Sequence, residues 1–276
     1  MIKRRHWTTE DDAVLRHVYP HLSDKDVAQH LQRTLWSIQS RAKRLKLTKS
    51  QEHRENFAQE RVRQLSKANS KYHVSHNYFS SIDTREKAYW LGWMWSDGNV
   101  YRQGESYQIK IDLYKDDAYI LQHFAAALNS DYPLYSYKNA VRLLVSSKQM
   151  FTDLSRYGIV PRKSGVNYVP NISLDFVSDF IRGVFDGDGC ISKGKNAQIT
   201  IIGTEAFCHW LQVILQSAIG IQGNCALKKN TTFRWVLSGR ANISTFAQWI
   251  YQPCSNGERP VCLERKSQRF VAAKFL

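Results

Sequence analysis

No stretch of this 276-residue chain approaches the roughly 20 consecutive apolar residues that span a bilayer, and the opening MIKRRHWTTEDD turns acidic where a secretory leader would turn apolar. A soluble, unexported protein is expected. Cysteine is sparse: the five residues Cys190, Cys208, Cys225, Cys254 and Cys262 lie in the C-terminal third and form no C-x-x-C pair, so reduced, mostly packed thiols are expected rather than a disulfide framework or a zinc cluster. Acid is also in deficit. Asp plus Glu number 24 against 39 Lys plus Arg, and the resulting +15 needs an acidic partner or surface. With 43% apolar residues the chain is not disordered, and its length allows one large domain or two to three modest ones.

The positive charge is uneven. Residues 1–76 hold 16 Lys/Arg and 8 Asp/Glu, whereas the remaining 200 hold 23 and 16. Within the first quarter, Trp7-Thr-Thr-Glu-Asp-Asp starts a helix, because a Thr ahead of acids caps free N–H groups and the acids complement the helix dipole. Ala13, Leu15, Val18 and Tyr19 are its expected apolar face. Ser23-Asp24 restarts the pattern with Val27, Ala28 and Leu31, and Thr34 caps a third helix with Leu35, Ile38, Ala42 and Leu45 inward. That arrangement leaves Ser37, Gln39, Ser40, Arg41, Lys43 and Arg44 on the open side. Three short helices with a basic third one fit a helix-turn-helix module whose last helix enters a DNA major groove. Through Trp7, Glu10 to Asp12, Trp36 and SRAKRLKL, residues 1–47 resemble the Myb/SANT-like class. Residues 48–76 read as a partly helical basic linker that follows a phosphate backbone.

The other 200 residues contain a repeat. AYWLGWMWSDG at 88–98 and DFIRGVFDGDG at 179–189 are both apolar helical runs with two small residues four apart, ending in Asp-Gly. Gly92, Ser96, Asp97 and Gly98 thus correspond to Gly183, Gly187, Asp188 and Gly189. Alternating strands follow each copy, Gln108-Ile-Lys-Ile and Gln198-Ile-Thr-Ile. Helices are expected at 118–128 and 205–218, strands at 132–137, 140–146, 224–229 and 231–238, and a last helix closes each unit. Each unit ends in a basic dipeptide, Arg162-Lys163 or Arg265-Lys266. The order is αββαββα, twice.

Small residues four apart let two helices pack backbone to backbone, so Gly92, Ser96, Gly183 and Gly187 are the expected interface. Such packing sets Asp97 beside Asp188. Paired carboxylates repel unless a cation or proton separates them, and Mg²⁺ is a hard ion that accepts one or two carboxylates with waters and phosphate oxygens.

These two motifs closely resemble those of the LAGLIDADG homing endonucleases, over about residues 77–276. The resemblance implies an α+β fold of tandem αββαββα halves, 77–170 and 171–276, with pseudo-two-fold symmetry and saddle-shaped sheets, preceded by the small all-α module. It implies a metal-dependent, site-specific double-strand DNA endonuclease of a mobile element, the activity behind intron homing. Asp97 and Asp188 take the acidic position that binds metal and scissile phosphates; Lys163 and Lys266 resemble the active-site lysines. Asp186 matches an earlier acidic position that is generally structural, and Trp95 replaces it in the first copy. Mg²⁺ is the implied cofactor, with Mn²⁺ able to substitute. One chain supplying both halves implies a monomer on a long, largely asymmetric double-stranded DNA site, acting inside a bacterial or phage-infected cell or an organelle. The side of the strands that carries Gln108, Lys110, Asp112, Gln198 and Thr200, extended by Arg142, Lys228 and Arg234, is the expected DNA face. A cleavage-inactive DNA-binding regulator and an RNA-splicing maturase are the alternative roles within the same resemblance.

Overall fold

The computed structural model describes residues 6–58, 60, 71–163, 169, 171–192, 194, 196–229, 232–254 and 257–276. The chain divides into two compact units, Met1–Lys71 and Tyr72–Leu276.

The first unit holds α1 (Thr9–Val18), α2 (Asp24–His30) and α3 (Leu35–Arg44). Thr8, Ser23 and Thr34 each accept a backbone N–H at a helix start, and Thr8 with Asp11 forms a reciprocal capping box. Among the described residues of this unit Leu15, Val27, Ile38 and Ala42 are the buried apolar side chains, a core so small that polar ties must add to it. The acidic cluster supplies them. Asp11 pairs with Arg33 at 2.7 Å and Asp12 with Arg41 at 2.5 Å, and both guanidinium groups stack near Trp7. Arg41, expected on the open side, therefore ties α3 to α1. Ala13 and Leu35, expected inward, are exposed, because three short helices enclose too little volume to cover every apolar position. Past α3, residues 51–58 are helical, with Ser50 N–H donating to Pro20 O and Lys49 paired with Asp24.

In the second unit the motif runs form α4 (Arg85–Ser96) and α7 (Val177–Asp188). After α4 come β1 (Asn99–Gln103), β2 (Ser106–Tyr114), α5 (Ala118–Ala127), β3 (Leu134–Tyr137), β4 (Ala140–Ser146) and α6 (Lys148–Arg156). After α7 come β5 (Gly189–Ile191), β6 (Gln198–Gly203), α8 (Glu205–Ile219), β7 (Asn224–Lys229), β8 (Thr232–Ser238) and α9 (Arg240–Ile250). Each half makes one antiparallel four-stranded sheet, in the orders β1-β2-β4-β3 and β5-β6-β8-β7. The α+β class and the repeated order are thus present, with one departure. The second half adds α10 (Glu264–Ala272), which has no counterpart among the described residues of the first half. Thr231, expected in β8, lies outside the described residues.

Residues 73–76, expected in the linker, belong to the body together with 77–79: Val74, Tyr78 and Phe79 are buried, and Ser75 N–H donates to Leu128 O at 2.8 Å. The core faces of the sheets follow strict alternation. Ile109, Ile111 and Leu113 on β2, and Ile199 and Ile201 on β6, turn inward onto helices. At the start of the motif helices, Asp179 is fully buried and receives Arg182 at 2.5 Å and Arg85 from the other half at 3.0 Å. A buried carboxylate with both oxygens paired locks the two helices at that end.

Candidate active site

The two motif helices touch without intervening side chains. A Cβ on Gly92 would lie 2.9 Å from Gly183 Cα and collide with Phe180 O; one on Gly183 would lie 3.0 Å from Gly92 Cα and collide with Tyr89 O. These contacts are reciprocal at a constant offset of 91 residues, as a local two-fold axis between the helices requires. Farther along, Ser96 faces Gly187, whose added Cβ would overlap the Ser96 hydroxyl and stand 3.1 Å from Asp97 Oδ2. The four predicted interface residues are therefore together, and the close approach brings Asp97 up against the last turn of the opposite helix.

Asp97 and Asp188 end α4 and α7, where the negative helix termini add to their own charge. Both reach solvent, yet protein crowds their remaining sides. That loss of hydration raises the Asp97 carboxyl, with Lys266, Lys163 and Arg265 pulling it back. Asp188 is pushed up to about 6, first by burial and then by the charge of Asp97, with Lys163 and Lys266 opposing. Each lysine caps one of these helices. Lys163 Nζ donates to the carbonyls of Met94 (2.9 Å), Ser96 (2.8 Å) and Gly98 (2.6 Å); Lys266 Nζ donates to Phe185 and Gly187, both at 2.8 Å. The acceptors Met94 and Ser96 are the motif equivalents of Phe185 and Gly187, so both halves use the same carbonyls. Burial pushes both ammonium groups down to about 8. Arg162, in the left-handed region at φ 59°, turns the chain just before Lys163.

Asp186 is buried and does not reach the aspartate pair. Its Oδ2 accepts Tyr89 OH at 2.9 Å and Leu263 N–H at 2.8 Å, and its Oδ1 accepts Tyr251 OH at 3.4 Å. Burial pushes this carboxyl up to about 6 even so. Trp95, at the matching place in the first copy, instead stacks on Phe180 and Phe207.

Among the described residues no cluster of three or more His, Cys, Asp or Glu side chains forms a closed metal cage. Two adjacent oxygen donors, one kept from full ionisation partly by the other, fit a hard divalent ion that takes its remaining ligands from water and a phosphate.

The expected DNA-facing residues sit on outward sheet faces, but not as independent groups. In the first sheet Gln108, Lys110 and Asp112 alternate with the buried isoleucines, and Asp112 pairs with Arg142 (2.5 Å) across the strands and with Lys110 (3.2 Å). Tyr101 OH donates to Gln108 Oε1. Tyr135, opposite Arg142, and Tyr137, whose ring lies 5.0 Å from that guanidinium, share the face and were not foreseen; the alternation of β3 is the signal that reveals them. In the second sheet Gln198 and Arg234 are exposed, and Thr200 pairs with Cys190 and Val236. Lys228 falls in a β-bulge, and Lys229 is the residue paired with Thr232 on the Arg234 face. On α3, Gln39, Ser40, Lys43 and Arg44 are exposed and Ser37 is half-buried, with Gln39 bonded to Asp24 at 3.0 Å. Trp36 beside them is 77% exposed.

Residues 175–251 match the model of the LAGLIDADG-like domain. No curated protein matches the chain. Among solved structures, mesophilic variants of the homing endonuclease I-DmoI are similar at 19% identity, covering 69% of this chain and 97% of that one with a TM-score of 0.48. The LAGLIDADG meganuclease I-AabMI bound to uncleaved DNA is 12% identical over 67% of this chain and 88% of its own, TM-score 0.47. I-DmoI in complex with DNA and Mn is 19% identical over 60% of this chain and 96% of its own, TM-score 0.45.

Proposed function

We propose that the protein is a site-specific double-strand DNA endonuclease of the LAGLIDADG type that hydrolyses phosphodiesters with a divalent metal, Mg²⁺ in the first place and Mn²⁺ as a substitute. The observation that carries this reading is the paired Asp97 and Asp188 at the touching ends of two helices, each helix end held by a lysine from its own half. The family match over residues 175–251 supports it from the sequence side.

In this reading Asp97 and Asp188 would hold the divalent ion. When bound, a divalent ion lowers the pKa of the attacking water and neutralises charge on the phosphate and the departing 3′ oxygen. Lys163 and Lys266 keep both helix ends fixed and place positive charge beside the carboxylates, which favours their ionised, metal-competent form. The outward sheet faces take up the duplex, Gln108, Lys110, Arg142, Gln198, Thr200 and Arg234 being the candidate base and phosphate contacts. Residues 1–47 form a helix-turn-helix reader, with Ser37, Gln39, Ser40, Lys43 and Arg44 toward the groove, and lengthen the site. A monomer whose two sheet faces differ takes a long, asymmetric target.

Selection of cleaved sequences from a random DNA library, with Mg²⁺ and with chelator, tests the proposal. Metal-dependent recovery of one long asymmetric site is expected. Binding without cleavage in either condition overturns it in favour of a regulator.

A further inference from the structure

The two candidate lysines reach equivalent carbonyls by different routes. Lys163 stands just after a turn, whereas Lys266 is the third residue of α10, the helix that the second half adds. That helix begins without a side-chain cap of its own. Its first N–H groups need acceptors from elsewhere. Leu263 N–H is taken by Asp186 in the same half, but Glu264 N–H donates at 2.7 Å to the hydroxyl of Tyr119, on α5 of the first half. The same hydroxyl donates to Cys262 O at 3.4 Å. One residue farther on, Arg265 Nε lies 3.0 and 3.2 Å from the two carboxylate oxygens of Asp117, whose side chain is almost fully buried at the start of α5. Residues 262, 264 and 265 are thus fastened to the first half, immediately ahead of Lys266.

We propose that Tyr119 and Asp117 of the first half are positioning residues for Lys266 of the second, so that the first half sets the geometry of one of the two active-site lysines. The inference rests on the endonuclease reading for its catalytic consequence. Lys266 Nζ meets two carbonyls at 2.8 Å, and a shift of α10 by a fraction of an ångström is enough to break that fit. Tyr119 is suited to the task because a neutral phenol hydroxyl both donates and accepts, here to Cys262 O and from Glu264 N–H. Nothing equivalent crosses to Lys163 among the described residues, whose three acceptors all belong to the first half. Loosening the clasp therefore acts on one active-site lysine and not on the other.

The test uses the full-length chain carrying Tyr119→Phe, which removes the hydroxyl and leaves the ring. Hydrogen exchange without DNA is expected to show the Glu264 and Arg265 amides opening about 5-fold or more faster, with residues 159–163 unchanged. On supercoiled plasmid bearing the selected site, cleavage of one strand slows about 10-fold or more while the other keeps the parental rate, so nicked circles accumulate. Asp117→Asn gives the same bias in weaker form. Unchanged exchange in residues 264–265 overturns the inference whether or not the wild-type chain cuts DNA. Equal slowing of both strands overturns it too, since that is the mark of a general structural defect. A wild-type chain that fails to cut in Mg²⁺ counts against the endonuclease reading alone, and the exchange result still decides the clasp.

Discussion

The two halves of the body agree where they touch and differ where they face outward. Along the close approach of the two helices the contacts are related by an offset of 91 residues, Gly92 with Gly183, Tyr89 O with Phe180 O and Ser96 with Gly187, whereas the Arg85–Asp179 pair at the helix starts has no counterpart among the described residues. The outward faces keep a Gln (Gln108, Gln198), a Ser (Ser146, Ser238) and an Arg (Arg142, Arg234) at equivalent register positions, but Lys110 and Asp112 give way to Thr200 and Ile202. The first sheet presents a linked Lys110–Asp112–Arg142 group with Tyr101, Tyr135 and Tyr137, while the second presents Thr200, Cys190 and Val236 with Arg234 and Lys229 near one edge. Backbone-to-backbone packing tolerates no side chain, so it holds both copies to one solution. A solvated face has no such constraint and is free to diverge, and under the proposed function that difference makes the target asymmetric.

The largest expected effect breaks the duplicated part. Asp188→Asn, and equally Asp97→Asn, is expected to lower double-strand cleavage by about 10³-fold or more while DNA affinity stays nearly unchanged. Cleavage at the parental rate in Mg²⁺ would remove the pair from the mechanism. Next comes the interface. Gly183→Ala drives a methyl into Tyr89 O and is expected to cost about 3 kcal/mol in urea unfolding, because helix backbones cannot swing aside as a flexible side chain does. A loss below about 0.5 kcal/mol would mean that the helices are not so closely packed.

A third test separates the body from the first unit. Deletion of residues 1–47 is expected to weaken binding about 10- to 100-fold and to flatten its salt dependence, with cleavage at saturating protein retained. An unchanged footprint and slope would take that unit out of DNA binding.

The smallest effect sharpens the comparison of the lysines through pH. Metal binding needs ionised carboxylates, so activity should fall as pH drops through about 6 and Asp188 takes up its proton, and more metal should move that limb lower by competition. Above about 8 the lysines lose their charge and activity should fall again. Lys266→Met removes a positive charge that holds Asp188 down, so its acid limb should move upward; a limb that stays in place would show that Lys266 does not act on Asp188.

Much of this was legible in the linear chain. The repeat, the small residues at four-residue spacing and the terminal Asp-Gly located α4, α7 and the aspartate pair, because helix periodicity converts spacing directly into a shared face. The inward isoleucines of β2 and β6 were legible for the same reason. Three features were not. Arg41 carries the same composition signal as its exposed neighbours, and only the fold puts Asp12 within reach. Lys228 and Lys229 are exchanged by a one-residue bulge, which shifts the alternation and leaves no mark in the sequence. Ala13 and Leu35 obey the apolar spacing of their helices and are exposed, since a three-helix unit this small cannot bury them all.

The sequence by itself determined the duplication, the basic first quarter and which two carboxylates meet, since each follows from local periodicity and from residue types that tolerate close backbone approach. Tertiary structure alone decided how the charges are spent. It sent Arg41 and Arg33 into ion pairs, joined Lys110 and Arg142 to one aspartate, and fastened the helix of Lys266 to Tyr119 and Asp117 of the other half. Those pairings span between 22 and 148 residues apart from the one within β2, and a local pattern carries no record of partners at such separations.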